Sequence, residues 1–525
     1  MNLNINDTFA DQLPADPILE NHRRQVNACF SYVTPKQTKN PKLIHVSEDM
    51  LKTLGLSPEE AKSDEFLNVF TGNKVYQGTK PFAMCYGGHQ FGNWAGQLGD
   101  GRAINLFEVD YNNKHWSVQL KGSGETPYSR TADGLAVLRS SVREYLCSEA
   151  MYHLGVPGTR ALSLSLTGDE VMRDVLYNGN SAYEKGAVVC RVAPSFIRFG
   201  NFQLLAAREN TEGLKELVEY TIRHFYPTIK GDIKSKTIEL FRQVTQNTIK
   251  MIVDWQRVGF VHGVMNTDNM SILGETIDYG PYGWLEGYDF NWTPNTTDAQ
   301  NKRYRFGNQP NIGLWNVLQL ANALYPLVNE SDPLQSILDK YQSEFDEQYL
   351  NMMRSKLGLV LKKETDLKLV ESLENNLQLV ETDMTIFFRN LAEVNSKTQL
   401  VEDKNVIISN ALDNAFYVLN EVSDEVRMTW RNWFSTYIER LKEEVQSNKQ
   451  RVIEMNLVNP KYVFRNYMAQ LAIDEADKGD YKLIDELYEL FKNPYGEQVE
   501  QEKWFAKRPE WARNKVGCSM LSCSS

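Results

Sequence analysis

The predicted secondary structure changes from mainly strands to mainly helices near residue 210, and this change restricts the fold more than any other feature. Before that point, strand-like runs alternate with turns and glycines, as in 103–109 and 116–120. After it, long amphipathic helical patterns dominate, at 238–255, 343–357 and 424–445. A chain of 525 residues is also too large for one compact core. The sequence therefore predicts an α+β protein with a β-rich lobe followed by a helical lobe.

The same pattern gives provisional boundaries along the chain. Residues 1–75 are interpreted as an N-terminal extension packed on the main body, and residues 76–210 as the β-rich lobe. Residues 211–492 form the helical lobe, which includes a loop-rich stretch at 259–313. The polar, turn-rich residues 493–525 are interpreted as a C-terminal tail that wraps over the body or moves freely.

The β-rich lobe has a recognisable internal order. Glycines are dense from Pro81 to Gly101, which predicts a glycine-rich loop, and the backbone N–H groups of residues 98–101 could face an anion. Next come a hairpin, formed by the two strand-like runs around the turn at 110–114, and a helix over 138–154. Strands are also predicted at 160–166 and 186–192.

Charge and cysteine content restrict the class of protein. A net charge of −11 argues against a general nucleic-acid binder, which needs a basic surface. No apolar run approaches the roughly 20 residues that span a bilayer, and residues 1–17 contain no Lys or Arg. Six cysteines are too few for a disulfide framework, so most are expected to be buried thiols. We therefore expect a cytoplasmic protein.

Lys121 ends the second hairpin strand, and Glu144 lies on the helix that follows. A lysine fixed in place by a carboxylate is the arrangement with which kinases hold ATP phosphates. Each residue alone is more often a surface lysine or a helical glutamate. Motifs further along the chain favour the functional interpretation.

The strongest of these motifs is HGVMNTDNM at 262–270, followed by Asp278. Kinase-like folds use a His-x-Asp loop, an Asn five residues after that Asp, and a later Asp after an apolar strand, and the last two bind Mg²⁺. Here Asn269 lies five residues after Val264, and Asp278 has the later position. Val264 occupies the position of the catalytic aspartate and cannot accept a proton. The spacing predicts a kinase-like cleft without its usual base.

Two further aspartates are candidates for roles in this site. Asp268 is the nearest replacement base, with a turn-forming role as an equally good alternative. Asp289, followed by Phe290, imitates the Asp-Phe-Gly motif but lacks its glycine and ranks below Asp278 as a metal ligand.

Three arginines complete the predicted site. Arg102 follows the glycine stretch, and Arg191 and Arg198 flank a proline. Guanidinium groups beside a glycine-rich loop and a strand lysine suit a terminal phosphate, although an exposed arginine usually only solvates a surface.

At these residues the sequence closely resembles the selenoprotein O family of bacteria, mitochondria and plastids. The resemblance covers nearly the whole chain, with long matching blocks. They are YGGHQFGNWAGQLGDGR at 86–102, LKGSGETPYSR at 120–130, HGVMNTDNM at 262–270, DYGPYG at 278–283 and CSS at 523–525.

The resemblance implies a protein-kinase-like fold that transfers AMP from ATP to hydroxyls of Ser, Thr or Tyr in protein substrates. It also implies that ATP binds flipped, with its γ-phosphate buried. Asp268 would be the base, Asn269 and Asp278 would hold Mg²⁺ or Mn²⁺, and Glu144 would pair with Lys121. Nucleotide contacts would come from Gly99, Gly101, Arg102, Lys121, Asp133, Gly134, Arg191, Arg198 and Asp278.

Relatives close a disulfide between the activation segment and the C-terminus, but this chain has no cysteine between Cys190 and Cys518. The remaining intrachain pair is Cys518 with Cys523, which could act in redox control. The alternative is two exposed thiols without a role.

The leading hypothesis is thus a protein adenylyltransferase that releases pyrophosphate. An atypical protein kinase and a nucleotide-binding pseudokinase scaffold remain alternatives. Val264 favours the scaffold, whereas Lys121, Glu144, Asn269 and Asp278 together argue against it. The protein substrates and the oligomeric state are open.

Overall fold

The structure, a computed structural model, describes residues 1–400, 410–419 and 422–522. The strands are β1 Ala15–Asp16, β2 Phe30–Tyr32, β3 Lys42–Val46, β4 Phe82–Met84, β5 Gly87–Gln90, β6 Asn93–Gln97, β7 Ala103–Tyr111, β8 Lys114–Lys121, β9 Ala136–Val137, β10 Arg160–Arg173, β11 Ala182–Ala193, β12 Phe260–Val261 and β13 Gly283–Trp284. The α+β class is confirmed, while the likeness to protein kinases stays a prediction.

The helices lie mostly after the main sheet. They are α1 Thr8–Gln12, α2 Glu48–Leu54, α3 Asp64–Phe70, α4 Leu138–His153, α5 Phe199–Ala207, α6 Thr211–Phe225, α7 Ile233–Val258, α8 Gln309–Val328, α9 Asp332–Lys356, α10 Asp366–Leu377, α11 Met384–Asn390, α12 Asn410–Asp413, α13 Asp424–Leu441, α14 Asn448–Val458, α15 Asn466–Ala476 and α16 Lys482–Phe491. The predicted helices at 238–255 and 343–357 are present and longer than expected, and the one at 424–445 ends at Leu441. No helix in the described part of the chain is long and apolar enough to cross a membrane.

One nine-stranded sheet organises the first half of the chain. Its strand order is β1-β2-β4-β7-β8-β11-β10-β3, and β9 pairs with β11. The predicted hairpin is β7–β8, closed by Tyr111 opposite Lys114. Asn112 and Asn113 form its turn with φ of 50° and 59°, a left-handed geometry that asparagine tolerates. Because β1, β2 and β3 belong to this sheet, the N-terminal residues are part of its structure.

The glycine-dense stretch, predicted as a loop, instead consists mostly of strands β4, β5 and β6. Its glycines allow close packing. A Cβ on Gly88 would lie 2.9 Å from Asp268 Oδ1, and a Cβ on Gly200 would lie 2.1 Å from the Gly87 carbonyl oxygen. The loop prediction is wrong for residues 82–97, where glycine leaves room for neighbouring groups, whereas residues 98–101 do form a loop.

Helix α4 lies between the sheet and the helical part of the chain. It packs on β10 and β11 on one side and on α15 and α16 on the other. Glu149 on this helix is buried and receives two hydrogen bonds from Arg160, at 2.7 and 2.6 Å. A buried charge is stable only when an opposite charge or hydrogen bonds offset its loss of hydration. Helix α4 is therefore held in place by ion pairs as well as by apolar contacts.

The C-terminal tail wraps over the body as far as Ser522. Leu521 is buried, its N–H donates to the Pro294 carbonyl at 3.1 Å, and its carbonyl accepts from Thr296 N–H at 2.8 Å. Arg508 adds ion pairs to Glu286 at 3.0 Å and to Glu381 at 2.9 Å. The sequence left open whether the tail wraps over the body or moves freely. The structure shows that residues 493–522 pack on the body.

Candidate active site

A cavity of about 690 Å³ opens between the sheet and the loops that follow α7. Most predicted site residues line it together, although they come from distant parts of the sequence. These are Gly99, Gly101, Arg102, Lys121, Asp133, Gly134, Arg191, Asp268, Asn269 and Asp278, with Val264 beside them. Glu144 and Arg198 lie behind this lining and contact it through ion pairs.

Lys121 and Glu144 form the predicted ion pair. Lys121 is the last residue of β8, opposite Ala103 of β7 and Val189 of β11, which directs its side chain to the cavity end of the sheet. Its ammonium contacts the Glu144 carboxylate, whose other oxygen lies 3.1 Å from Arg191 Nη1. Burial lowers the pKa of Lys121, while the Glu144 charge raises it. One buried carboxylate therefore holds two cations at the cavity wall.

Asp278 lies at the centre of the positive charges. Its two carboxylate oxygens accept hydrogen bonds from Arg191 Nη1 at 2.6 Å and from Arg198 Nη1 at 2.7 Å. Burial alone would raise its pKa, but the charges of Arg198, Arg191 and Lys121 hold the pKa well below its usual range. The residue has φ of 57°, an uncommon conformation outside glycine. The apolar strand that precedes the corresponding aspartate in kinase-like folds is not present here, because residues 270–276 make only isolated bridges among the described residues.

Asp268 is buried and only partly satisfied. Its Oδ2 accepts a hydrogen bond from Gln90 Nε2 at 3.3 Å, while Oδ1 has no hydrogen-bond partner among the described residues. Burial raises the pKa of Asp268 to about 6, against the lowering effect of Arg198. A carboxylate with one free oxygen and a pKa near neutrality has the properties of a general base.

His262 joins the two loops that carry the predicted metal ligands. Val264 N–H donates to its Nδ1 at 3.3 Å, so its Nε2 carries the proton and donates to the Ile277 carbonyl at 2.9 Å. Asn269 Nδ2 donates to the Val264 carbonyl at 2.9 Å. These bonds place Asn269 and Asp278 in one cavity, although nine positions separate them in the chain.

The strands β5 and β6 fix the other side of this loop, a role that the sequence analysis missed. His89 N–H donates to Thr267 Oγ1 at 2.7 Å. Phe91 N–H donates to Asn266 Oδ1 at 3.1 Å and to Tyr304 Oη at 3.0 Å. In the sequence, the block at 86–102 stands out only as a matching motif. No local pattern indicates that it contacts residues 266–268.

A buried polar network behind the arginines was also missed. Gln119 Oε1 accepts a hydrogen bond from Arg191 Nη2, and Asp100 Oδ2 accepts from Gln119 Nε2 at 3.4 Å and from Asn105 Nδ2 at 3.2 Å. Asn105 and Gln119 are cross-strand partners on β7 and β8. A polar residue among the apolar ones of each strand is the available signal, but only the strand register shows that Asn105 and Gln119 face each other.

The remaining predicted nucleotide contacts lie at the cavity mouth. The Arg102 side chain has no ion-pair or hydrogen-bond partner within the described ranges, so it can receive an anion. Asp133 is exposed and pairs with Arg173 of β10 at 2.8 Å. Gly99 and Gly134 have φ of 118° and 71°, and a Cβ on Gly134 would lie 2.0 Å from the Gly124 carbonyl oxygen. Only glycine fits there.

Asp289 and the cysteines lie outside the cavity. The Asp289 carboxylate accepts from Asn291 N–H at 2.7 Å, which is a local turn contact. Cys29, Cys85, Cys147 and Cys190 are buried free thiols, as expected.

The tail cysteine is also buried and free. The alternative of an exposed thiol does not hold for Cys518, and burial raises its pKa to about 11. The reason is that the tail packs on the body. Cys523 lies outside the described residues, and the proposed pairing of the two stays a prediction.

The donor set fits a cation that shares its coordination with phosphates. No group of three or more His, Cys, Asp and Glu side chains in the described ranges is arranged to hold a metal by itself. Asn269 and Asp278 nevertheless supply hard oxygen atoms to the same cavity. Mg²⁺ is commonly bound through one or two such side chains together with substrate phosphates.

Known proteins are similar to this chain over nearly its whole length. The sequence model of the family described as protein adenylyltransferase SelO matches residues 16–492. The chain is 63% identical to the protein nucleotidyltransferase YdiU of Flavobacterium johnsoniae over 525 residues, which is the full length of both chains. It is 55% identical to the protein of the same name from Rhodopirellula baltica, covering 100% of this chain and 99% of the relative. The identity to the Aromatoleum aromaticum protein is 51%, with both chains fully covered.

Proposed function

Because the chain belongs to the protein adenylyltransferase SelO family, whose curated relatives are named protein nucleotidyltransferases, we propose that it transfers AMP from ATP to the hydroxyl of a Ser, Thr or Tyr in a protein substrate. The observation that carries the proposal is the division of charge in the cavity. Lys121 and Arg191 are buried in its wall with Arg198 behind them, whereas the Asp268 carboxylate lies in the same lining with one oxygen that has no hydrogen-bond partner among the described residues.

This division favours an ATP molecule whose terminal phosphates point inward. Buried guanidinium and ammonium groups offset the cost of removing the most highly charged part of ATP from water. Arg102, which has no partner among the described residues, adds a further cation at the cavity lining. The α-phosphate would then lie nearer the loop with Asp268, where a protein hydroxyl can approach.

The proposed reaction is an in-line displacement at the α-phosphorus. The acceptor hydroxyl gives its proton to the free Asp268 oxygen while its own oxygen forms a bond to the α-phosphorus. The bond between this phosphorus and the oxygen that bridges to the β-phosphate breaks, so that pyrophosphate leaves and AMP stays on the protein. The buried cations stabilise the charge on the leaving pyrophosphate.

Asn269 and Asp278 would hold Mg²⁺ or Mn²⁺ through their oxygen atoms. When bound, such an ion supplies positive charge that neutralises the phosphate oxygens. Asp278 would also fix Arg191 in the cavity wall and Arg198 behind it, which the contacts at 2.6 and 2.7 Å support.

Two isotopic labels test the proposal. With [α-³²P]ATP and Mg²⁺ the enzyme should label protein, and with [γ-³²P]ATP it should not. Label from the γ-phosphate would instead indicate a protein kinase. Metal-dependent nucleotide binding without transfer of either label would support a pseudokinase scaffold.

Gln119 gives a milder prediction about nucleotide binding. Gln119→Leu removes the acceptor that orients Arg191, so we expect the KM for ATP to rise about tenfold, as when a hydrogen bond to a charged group is lost. The turnover number should change much less, because Gln119 does not line the cavity. Steady-state kinetics at varied ATP measures both quantities. Gln335→Leu, an exposed change on α9, is the control that should leave both unchanged.

A further inference from the structure

A cluster of unpaired positive charge lies next to the catalytic loop. Lys302, Arg303 and Arg305 fall within four residues, and none makes an ion pair within 4.0 Å in the described part of the chain. Nε and Nη2 of Arg303 are buried without a hydrogen-bond partner. The nearby Asp298 carboxylate accepts hydrogen bonds from the backbone N–H groups of Arg303 and Tyr304, and its single charge offsets only part of the positive charge of the cluster. In a protein of net charge −11, such a cluster is a local attractor for anions.

Aromatic side chains continue this basic cluster across the surface. The Arg303 guanidinium lies over the Trp315 ring at 4.7 Å, and Trp315 meets His89 edge-on at 5.3 Å. His89 in turn packs on Trp94 of β6 at 5.1 Å, and 41% of Trp94 is exposed. Exposed tryptophan beside arginine is typical of protein interaction sites. We define Trp94, Lys302, Arg303, Arg305 and Trp315 as the basic-aromatic surface.

Hydrogen bonds connect the segments that carry the basic-aromatic surface to the loop that carries Asp268. Tyr304, between two of its arginines, donates from its hydroxyl to Asn266 Oδ1 at 2.6 Å. A Cβ on Gly92, in the turn between β5 and β6, would lie 3.3 Å from the Arg303 guanidinium carbon. On the same hairpin, Gln90 donates to Asp268. A chain bound on this surface would therefore be held at a fixed position relative to Asp268.

We propose that protein substrates bind the basic-aromatic surface through an acidic segment close to the hydroxyl that receives AMP. The inference rests on the proposed function and adds the chemistry of its acceptor. Carboxylates of the segment would meet Lys302, Arg303 and Arg305, and an apolar side chain would pack on Trp94 and Trp315. A basic segment is disfavoured by like charge. A nucleic acid fits the cations and rings but is disfavoured by the overall negative charge of the protein.

Peptide kinetics with the full-length enzyme tests the proposal. The probes are serine peptides with one aliphatic residue and three flanking Asp or Glu, and twins in which Asn or Gln replaces each acidic residue. We expect kcat/KM for AMP transfer to be about tenfold higher for the acidic peptides, mainly through KM, as for charge pairs at the rim of an interface. The charge-reversed surface is a triple variant with Lys302→Glu, Arg303→Glu and Arg305→Glu. This variant should lose the preference for acidic peptides and keep the wild-type KM for ATP.

Matched variants separate a local effect from a change in net charge. A control variant with the same change in total charge carries Lys340→Glu, Lys368→Glu and Lys449→Glu at exposed sites on α9, α10 and α14. This variant should keep the preference for acidic peptides. Trp94→Ala should raise the peptide KM, whereas Trp511→Ala, a change at a similarly exposed residue, should not. Equal rates for acidic and amide peptides, or a charge-reversed surface that behaves like the control, would overturn the proposal.

Two other results are distinguishable from these. If the wild-type enzyme transfers AMP to no peptide or protein, the proposed function itself fails. If a thymidine oligonucleotide binds the wild-type protein but not the charge-reversed surface, the surface belongs to nucleic acid and the docking proposal is overturned.

Discussion

Asp278→Asn should reduce AMP transfer by about 10³-fold or more, the largest effect that we expect from any single change. The substitution keeps the size of the side chain but removes a charge that has two tasks. It removes a proposed metal ligand, and it leaves Arg191 and Arg198 without the carboxylate that lies 2.6 and 2.7 Å from them. The rate of protein labelling from [α-³²P]ATP at saturating ATP and Mg²⁺ measures the loss.

Asp289→Asn is the matched control, because sequence spacing left both aspartates as candidates. Asp289 is exposed and contacts only a local turn, so its variant should keep activity within about twofold. Since Asp278→Asn leaves buried arginines unpaired, its thermal unfolding and its metal-dependent ATP binding need to be measured as well. A folded Asp278→Asn protein that binds ATP with wild-type dependence on Mg²⁺ would show that Asp278 is no metal ligand.

Asp268→Asn should lower the turnover number by about 10² to 10⁴-fold, the range for loss of a general base. The amide can still accept the hydrogen bond from Gln90, but it cannot take the proton of the acceptor hydroxyl. We therefore expect the KM for ATP to stay close to the wild-type value while kcat falls. Single-turnover labelling and equilibrium ATP binding separate these two effects.

Retention of wild-type kcat by Asp268→Asn would rule out a base role for this residue. The alternative interpretation of Asp268, a residue that only forms a turn, predicts that outcome together with a lower unfolding temperature. The structure favours the base because Asp268 Oδ1 is buried without a partner in the described part of the chain. An oxygen in that state is costly unless a ligand uses it.

Sequence reasoning reached the α+β class and singled out residues that the structure brings to one cavity, because their signals are local. The turn at 110–114 and the alternation around it predicted the β7–β8 hairpin, and helical spacing predicted α4 and α7. The five-residue interval from Val264 to Asn269 marked the catalytic loop. Each of these signals lies within a short window, where periodicity and turn chemistry act directly.

The errors come from features that depend on distant contacts. In the glycine-dense stretch, β4 pairs with β2 and β7, and Gly88 of β5 packs closely on Asp268, which lies 180 positions further along the chain. Cys518 is buried because the tail meets residues 294–296 and Asn466. None of these contacts leaves a pattern in the neighbouring sequence.

The sequence by itself determined the order of elements, the absence of the usual aspartate at Val264 and the set of charged residues available to the site. Only the tertiary structure decided how those charges are paired and how deeply they are buried. It gave Asp278 two arginines, gave Lys121 and Arg191 a shared Glu144, and left one oxygen of Asp268 free. The physical reason is that electrostatic interactions depend on separation in space and on removal from water, and the sequence encodes neither quantity locally.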